Sequence, residues 1–159
     1  MKKLLLLTVA LLVATPALAK VAKIDPVGCY AILFEKKYLD RHPQQQVESI
    51  RFQVKKAPKK SNWDWAFKFD LILKGKKYPM TMVGGCDLTR DAEKGGPTSL
   101  RCYTDPQPPD GGRVIFTPHG ASSMLYLGTD PLVFGKQTVT FKKWDEQIQL
   151  EELDDWVCE

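Results

Sequence analysis

The sequence predicts an all-β fold, an antiparallel small barrel or sandwich of about eight strands with one or two short helices and two disulfides. Three observations support this prediction. Apolar residues alternate with polar or small ones over Trp63–Leu73, many short apolar segments are separated by Gly, Pro and Asp, and all four cysteines follow an export signal. The chain has 159 residues, of which 43% are hydrophobic and 26% charged. This composition excludes a disordered or fibrous protein, and the length suits one domain.

The longest predicted strands lie in the middle of the chain. In Trp63–Leu73 every second residue is aromatic or leucine, and a period of two is typical of a strand with one buried face. A turn at Lys74-Gly75-Lys76 and a returning strand at Tyr78–Val83 complete a predicted hairpin. Ile50, Phe52 and Val54 alternate in the same way and predict the strand before it.

The remaining elements are short. Turn-forming residues separate five further predicted strands, at Ser99–Thr104, Arg113–Thr117, Ser123–Leu127, Thr138–Lys142 and Gln147–Leu153. Glu35–Arg41 predicts one or two helical turns that end at the His42-Pro43 step, because a residue before proline disfavours the helical conformation. Asp154–Val157 predicts another short helix. The segment Asp105–Gly112 predicts a hairpin connection, since its prolines and glycines offer no side-chain oxygens to calcium.

The N-terminus has the pattern of an export signal. Lys2 and Lys3 precede the apolar stretch Leu4–Val13, and Ala17-Leu18-Ala19 supplies the small residues that a signal peptidase reads. The stretch is shorter than the roughly 20 residues that cross a bilayer. We therefore expect a signal peptide over residues 1–19, a single all-β domain over residues 20–159, no transmembrane segment after signal removal, and a periplasmic or secreted bacterial protein. Without Lys2 and Lys3, 21 of the 23 basic residues remain against 19 acidic ones, and the resulting net charge of about +2 is too weak to favour nucleic acid as a partner.

The cysteines indicate disulfides. An even number of cysteines in an exported chain is typical of disulfide pairs, and four of them allow three pairings. We favour Cys86–Cys102, which closes a local loop, and Cys29–Cys158, which ties the two ends together. No two cysteines have the close spacing of a zinc site, so we expect no metal and no other cofactor.

The sequence assigns no catalytic residue. His42 and His119 are the histidines that could act as bases. The segment Pro118–Ser123 lacks the G-x-S-x-G pattern of a nucleophile elbow and lies between predicted strands. Acidic residues are numerous, but no pair stands out as the two carboxylates of a glycosidase. We therefore expect a protein that is not an enzyme.

Two groups of residues are candidate ligand or partner contacts. Trp63, Trp65, Phe67 and Phe69 share one face of the predicted strand, where they form either the core or the wall of an apolar or sugar-stacking pocket. Tyr38 and His42 lie in a Tyr-Leu-x-x-His-Pro corner that has no obvious role in folding. The simpler interpretation of that corner is a short helix ended by proline, with His42 hydrogen-bonded to the backbone.

Charge is segregated along the chain. Nine basic residues lie in Arg51–Lys77 against Asp64 and Asp70, whereas Asp145–Glu159 has seven acidic residues and no basic one. The simpler interpretation places the C-terminal strand beside the basic hairpin, where the charges balance. The alternative is two separate patches, one of which binds an acidic partner or the phosphates of outer-membrane lipids.

A set of short motifs resembles a group of small exported bacterial proteins of no known function. The motifs are Cys29-Tyr30, Tyr38-Leu39, His42-Pro43, Gln45, Val47, Arg101-Cys102, Asp110-Gly111-Gly112, Leu125 and Leu127. This resemblance implies no activity and no site.

Three functional hypotheses follow from these observations. The leading one is an exported, non-catalytic binding module for a protein, such as an inhibitor of a cell-envelope or cell-wall hydrolase. The second is a barrel that carries a small apolar or aromatic ligand, with the aromatic residues of the middle strand as walls. The third is an enzyme with a carboxylate-based site.

Overall fold

A closed antiparallel barrel of eight strands forms the body of the protein. The computed structural model describes residues 25–90, 98–104, 112–119, 122–128, 130–142 and 145–158. Its strands are β1 (Gly28–Leu33), β2 (Val47–Lys56), β3 (Trp65–Leu73), β4 (Met80–Arg90), β5 (Thr98–Thr104), β6 (Val114–Thr117), β7 (Ser122–Tyr126), β8 (Leu132–Phe134), β9 (Gln137–Val139) and β10 (Gln147–Leu153). The order around the barrel is β1-β10-β7-β6-β5-β4-β3-β2, and β8 and β9 form a separate two-stranded sheet. The structure thus confirms the all-β prediction and selects the barrel over the sandwich.

Aromatic side chains fill the interior at its middle layer. Pairing across four strands aligns Tyr30 with Phe52, Phe52 with Phe69, and Phe69 with Met82, and all four side chains are buried. Phe116 lies 4.6 Å from Tyr30 and 5.0 Å from Phe52, measured between ring centroids. An eight-stranded barrel is just wide enough for side chains to fill it. The interior is therefore a packed core at this level.

Smaller elements cover one end of the barrel. The helix α1 (Lys36–Arg41) follows β1, and the β8–β9 hairpin packs Leu132 and Phe134 into the core, with the Phe134 ring 5.6 Å from that of Phe69. Asp145, just before β10, accepts hydrogen bonds from the Gln45 side chain at 2.7 Å and from the backbone N–H groups of Gln46 and Val47 at 3.2 and 3.3 Å. This buried carboxylate fixes the chain where it enters β2.

Both predicted disulfides are present. Cys86 and Cys102 are paired partners on β4 and β5, and Cys29 on β1 is bonded to Cys158. Cys158 directly follows a 3-10 turn at Asp155–Val157, so the second bond holds the C-terminal segment against the outside of β1. The structure thus selects the favoured pairing from the three that the sequence allowed.

Several predicted elements differ in extent from the observed ones. β1 was not predicted because its outward positions, Cys29, Ala31 and Leu33, are apolar and hide the alternation. The strand predicted at Thr138–Lys142 is wrong in extent, since β9 ends at Val139 and Phe141 enters the core instead. The predicted signal peptide and most of the Asp105–Gly112 connection lie outside the described residues.

Candidate functional site

A groove lies on the outside of the barrel, and we call it the outer groove. It has a volume of about 700 Å³ and crosses β10, β1, β2 and β3. Its depth comes from small side chains at outward positions, because Ala31 and Ser49 form the floor while the larger Leu33, Ile72 and Leu153 stand around them. Strand pairing aligns Leu33, Ser49 and Ile72 in one row across three strands.

A second row of paired residues crosses the groove, and three of its four side chains are charged. Glu151, Ala31, Arg51 and Asp70 are successive partners on β10, β1, β2 and β3. Arg51 donates to one carboxylate oxygen of Asp70 from Nε at 3.1 Å and from Nη2 at 2.9 Å. Thr81 donates to the other oxygen at 2.6 Å. The carboxylate is therefore fully engaged and is not a free general base.

The charge on Asp70 is stabilised despite its burial. Burial raises the pKa of this carboxyl, but the hydrogen bonds from Thr81 and Arg51 and the nearby charge of Lys68 outweigh that effect and hold the pKa below 3.8. Asp70 thus remains ionised at neutral pH and anchors the Arg51 guanidinium at the groove.

Arg51 also fixes one wall of the groove. Its Nη1 donates to the backbone oxygen of Val157 at 3.0 Å, and Val157 belongs to the 3-10 turn that precedes the bridged Cys158. A disulfide and a charge-assisted hydrogen bond therefore hold the same short segment. The wall formed by Leu153 and Val157 is preorganised, which lowers the entropic cost of binding.

The groove lacks the arrangement that covalent catalysis needs. Ser49 contributes a hydroxyl, but neither His42 nor His119 lines the groove, and nucleophilic catalysis by serine needs an adjacent base. In the part of the chain that the structure describes, no group of three or more His, Cys, Asp and Glu side chains is placed to hold a metal ion. The chemistry that the groove offers is an apolar cleft beside a fixed guanidinium and carboxylates.

The predicted partner contacts are Tyr38 on α1 and His42, which directly follows α1, and neither residue lines the outer groove. Their rings stack with centroids 4.0 Å apart, and Phe34 stacks on Tyr38 at 5.0 Å. The N–H of His42 Nδ1 has the Tyr38 backbone oxygen as its partner at 2.9 Å. The structure thus matches the simpler interpretation, a short helix whose terminal histidine bonds the backbone. Contact of these residues with a partner stays a prediction.

The aromatic residues of the middle strand divide between two environments. Trp65, Phe67 and Phe69 point into the barrel and are buried, as alternation predicts. Trp63 precedes β3, and its ring lies on the outer face over Gly85, 5.9 Å from the ring of Tyr103. The prediction that Trp63 shares a face with the other three is wrong, because the strand begins only at Trp65. The four residues therefore do not form one wall.

The segregated charges do not meet in ion pairs. Within the described segments, the ion pairs of the basic hairpin join Arg51 and Lys68 to Asp70, which belongs to the hairpin itself. β10, which carries the acidic residues, pairs with β1 and β7 and is separated from β3 by two strands. The C-terminal carboxylates nevertheless lie at the same end of the barrel as the lysines of the β2–β3 loop, whereas the lysines of the β3–β4 turn lie at the opposite end. The interpretation that the charges balance on one surface therefore applies to only part of the basic hairpin.

Sequence reasoning missed the outer groove. Its floor and walls come from four strands and the C-terminal turn, which are separated by more than a hundred residues in the chain. The one local signal is that β1 is apolar at its outward positions, which is unusual for a strand facing solvent.

The protein is thus a closed eight-stranded antiparallel barrel with two disulfides, a core of packed aromatic side chains and a groove on its outer wall. Comparison with known protein families, with curated proteins and with solved structures finds nothing that matches this chain. Among the described residues, no helix has the length and apolar character needed to cross a membrane.

Proposed function

We propose that the protein is an exported, non-catalytic binding module that holds a protein partner in the outer groove. The observation that carries the proposal is the apolar groove of about 700 Å³ on a wall fixed by Cys29–Cys158 and Arg51. Leu33 at its rim is 73% exposed and adds to the apolar surface that a partner would cover. The two disulfides are typical of an oxidising compartment, in keeping with a periplasmic or secreted protein.

Recognition in this groove depends on side chains. The barrel is closed, so its eight strands offer no free edge to which a partner could add a strand. A partner instead inserts an apolar side chain over Ala31 and Ser49 and meets Glu151 and Arg51 in the second row. A cell-envelope hydrolase is the target class that we propose, because a small rigid exported scaffold without catalytic groups suits an inhibitor.

The packing favours binding outside the barrel over carriage of a ligand inside it. Tyr30, Phe52, Phe69 and Phe116 occupy the middle of the interior, with neighbouring ring centroids between 4.6 and 6.0 Å apart. A ligand at that level would have to displace packed aromatic side chains, each of which contributes a few kcal/mol to the core. Native mass spectrometry of the protein from its own envelope tests this point, since a retained small molecule would favour the carrier.

The test of the proposal blocks the groove without touching the core. Ala31→Phe fills the floor from an outward position, and Val83→Phe adds the same ring to an exposed outward position on β4, away from the groove. Envelope proteins captured by the wild type and by Val83→Phe, but not by Ala31→Phe, are the specific partners. We expect Ala31→Phe to weaken the purified complex about tenfold or more by calorimetry.

Two results would contradict the proposal. If Ala31→Phe and wild type bound the captured partner with equal affinity, the groove would not be part of the interface. If the purified protein itself turned over a cell-wall substrate, it would be an enzyme and not a binding module. If the partner is a hydrolase, its activity should fall on titration with wild type and stay unchanged with Ala31→Phe.

A further inference from the structure

One end of the barrel carries a continuous surface made by α1 and the β3–β4 turn, residues 74–79; we call it the basic end. Lys74 joins the two elements, because its Nζ donates to the backbone oxygen of Leu39 at 2.9 Å. Its backbone N–H donates to the oxygen of Gln46 at 2.7 Å, just before β2. The helix and the turn are therefore fixed to each other and present one surface.

Basic side chains dominate this surface. Six exposed cations lie on the two elements: Lys36, Lys37, Arg41, Lys74, Lys76 and Lys77. The acidic residues of the same surface are Glu35, Asp40 and Glu48. In the described part of the chain, none of the six cations forms an ion pair within 4.0 Å. An excess of positive charge is therefore left to attract an anionic partner.

Exposed apolar side chains accompany the charges. Tyr78 at the tip of the turn is 71% exposed, and Lys77 Nζ lies 5.5 Å from its ring centroid. Tyr38 on α1 is 40% exposed, and Leu33 at the end of β1, three residues before α1, also reaches solvent. Tyrosine rings prefer the headgroup level of a bilayer, and lysines beside them reach the lipid phosphates. This combination is typical of a surface that rests on a membrane.

We propose that the basic end docks on the anionic headgroup surface of a phospholipid bilayer. The distribution of charge along the barrel orients the contact, because the acidic residues Glu151, Glu152, Asp154 and Asp155 lie at the other end, where Leu153 pairs with Cys29. The lysines of the β2–β3 loop share that other end with these carboxylates. A negative surface thus attracts one end of the barrel more strongly than the other.

The test compares two charge reversals of equal size on the protein without its predicted signal peptide. Lys37→Glu, Lys76→Glu and Lys77→Glu alter the basic end, and Lys55→Glu, Lys59→Glu and Lys60→Glu alter the opposite end. Co-sedimentation uses phosphatidylcholine vesicles with and without phosphatidylglycerol. We expect binding only to the anionic vesicles, a loss of at least about tenfold for the first variant, and little change for the second. High salt should release the protein.

A second measurement does not depend on charge reversal. Tyr78→Trp places an indole at the tip of the turn, and brominated phospholipids quench indoles that reach the acyl boundary. We expect vesicles with brominated anionic lipid to quench Tyr78→Trp more than wild type. Equal quenching of the two proteins would overturn the proposed orientation.

Other outcomes assign the surface to a different ligand. Equal loss of binding in both triple variants would show a dependence on net charge alone. Competition by soluble glycerophosphate at the concentration of the lipid would indicate a site for a single phosphate, and tighter binding of a DNA oligonucleotide would indicate nucleic acid. Each result overturns the proposal. Because Ala31→Phe leaves the basic end intact, it should bind vesicles like wild type, so this proposal and the groove proposal fail independently.

Discussion

Replacement of Gly85 by alanine is expected to destabilise the protein through one side chain, that of Trp63. Gly85 faces outward on β4 between Ala66 on β3 and Tyr103 on β5. A Cβ at this position would lie closer than 3.0 Å to three ring carbons of Trp63, Cγ, Cδ1 and Cδ2. Because these atoms form the base of the indole, a rotation of its far edge does not relieve the overlap.

The size of the effect follows from that overlap. Ordinary carbon contacts lie near 3.5–4.0 Å, so the indole must move by roughly 1 Å or more, and it then loses its stacking on Tyr103. Overpacking of this kind costs about 1–3 kcal/mol, and we expect about 2 kcal/mol for Gly85→Ala. In a Trp63→Ala background the new methyl group meets no ring. There the same substitution should cost close to zero, or stabilise the strand by about 0.5 kcal/mol through lower backbone entropy in the unfolded chain.

The assay is a double-mutant cycle measured by urea unfolding, followed by far-ultraviolet circular dichroism so that loss of a tryptophan does not alter the signal. We expect a coupling free energy of about 2 kcal/mol between positions 63 and 85. In the otherwise wild-type protein this corresponds to a fall in Tm on the order of 8 °C for Gly85→Ala. If Gly85→Ala costs the same in both backgrounds, Trp63 is not the obstacle and the assigned packing is wrong.

Three further predictions concern stability. Cys29–Cys158 joins residues 129 apart and Cys86–Cys102 joins residues 16 apart, so paired serine substitutions should lower the free energy of unfolding by about 5 kcal/mol at the first bond and about 3 kcal/mol at the second. Equal losses in urea unfolding would contradict the argument from the entropy of the unfolded chain. Asp145→Ala leaves the N–H groups of Gln46 and Val47 and the Gln45 amide without their acceptor, so we expect a loss of about 2–3 kcal/mol and faster hydrogen exchange at residues 46 and 47. The pKa of Asp70 lies below its usual value of 3.8 in the folded protein, so the stabilisation by this carboxylate is complete above the unfolded pKa of about 3.9 and is lost as the pH falls through the lower folded pKa. The difference in unfolding free energy between wild type and Asp70→Asn should therefore shrink on acidification below pH ~4. A difference that grows would contradict the hydrogen-bonded carboxylate.

The outer groove and the basic end lie close together but have different chemistry. Leu33, which lies three residues before α1, and Pro79, the last residue of the β3–β4 turn, both line the groove. A barrel that rests on a membrane through α1 and the β3–β4 turn would present the groove to proteins at the membrane surface. The two proposals are compatible for this reason, although each has its own test.

The fold class, most of the barrel strands and the presence of disulfides can be predicted from the sequence alone. The alternation over Trp65–Leu73 requires one buried face whatever the partner strands are, because side chains on a strand alternate between its two sides. Export and an even number of cysteines predicted disulfides and favoured Cys86–Cys102 and Cys29–Cys158 among three possible pairings, from which the structure selects this one. These features depend on residues close together in the chain or on the number of cysteines, so they can be predicted from the sequence.

The positions of the candidate sites, in contrast, depend on the tertiary structure. Closure of the sheet brings Ala31, Ser49, Ile72 and Leu153 to one wall, and a one-residue change of register in any strand would turn its contribution to the opposite face. The same closure divides the continuous basic segment Arg51–Lys77 between two ends of the barrel, because β2 and β3 run in opposite directions. Register and closure depend on contacts between distant residues, which no local pattern in the chain records.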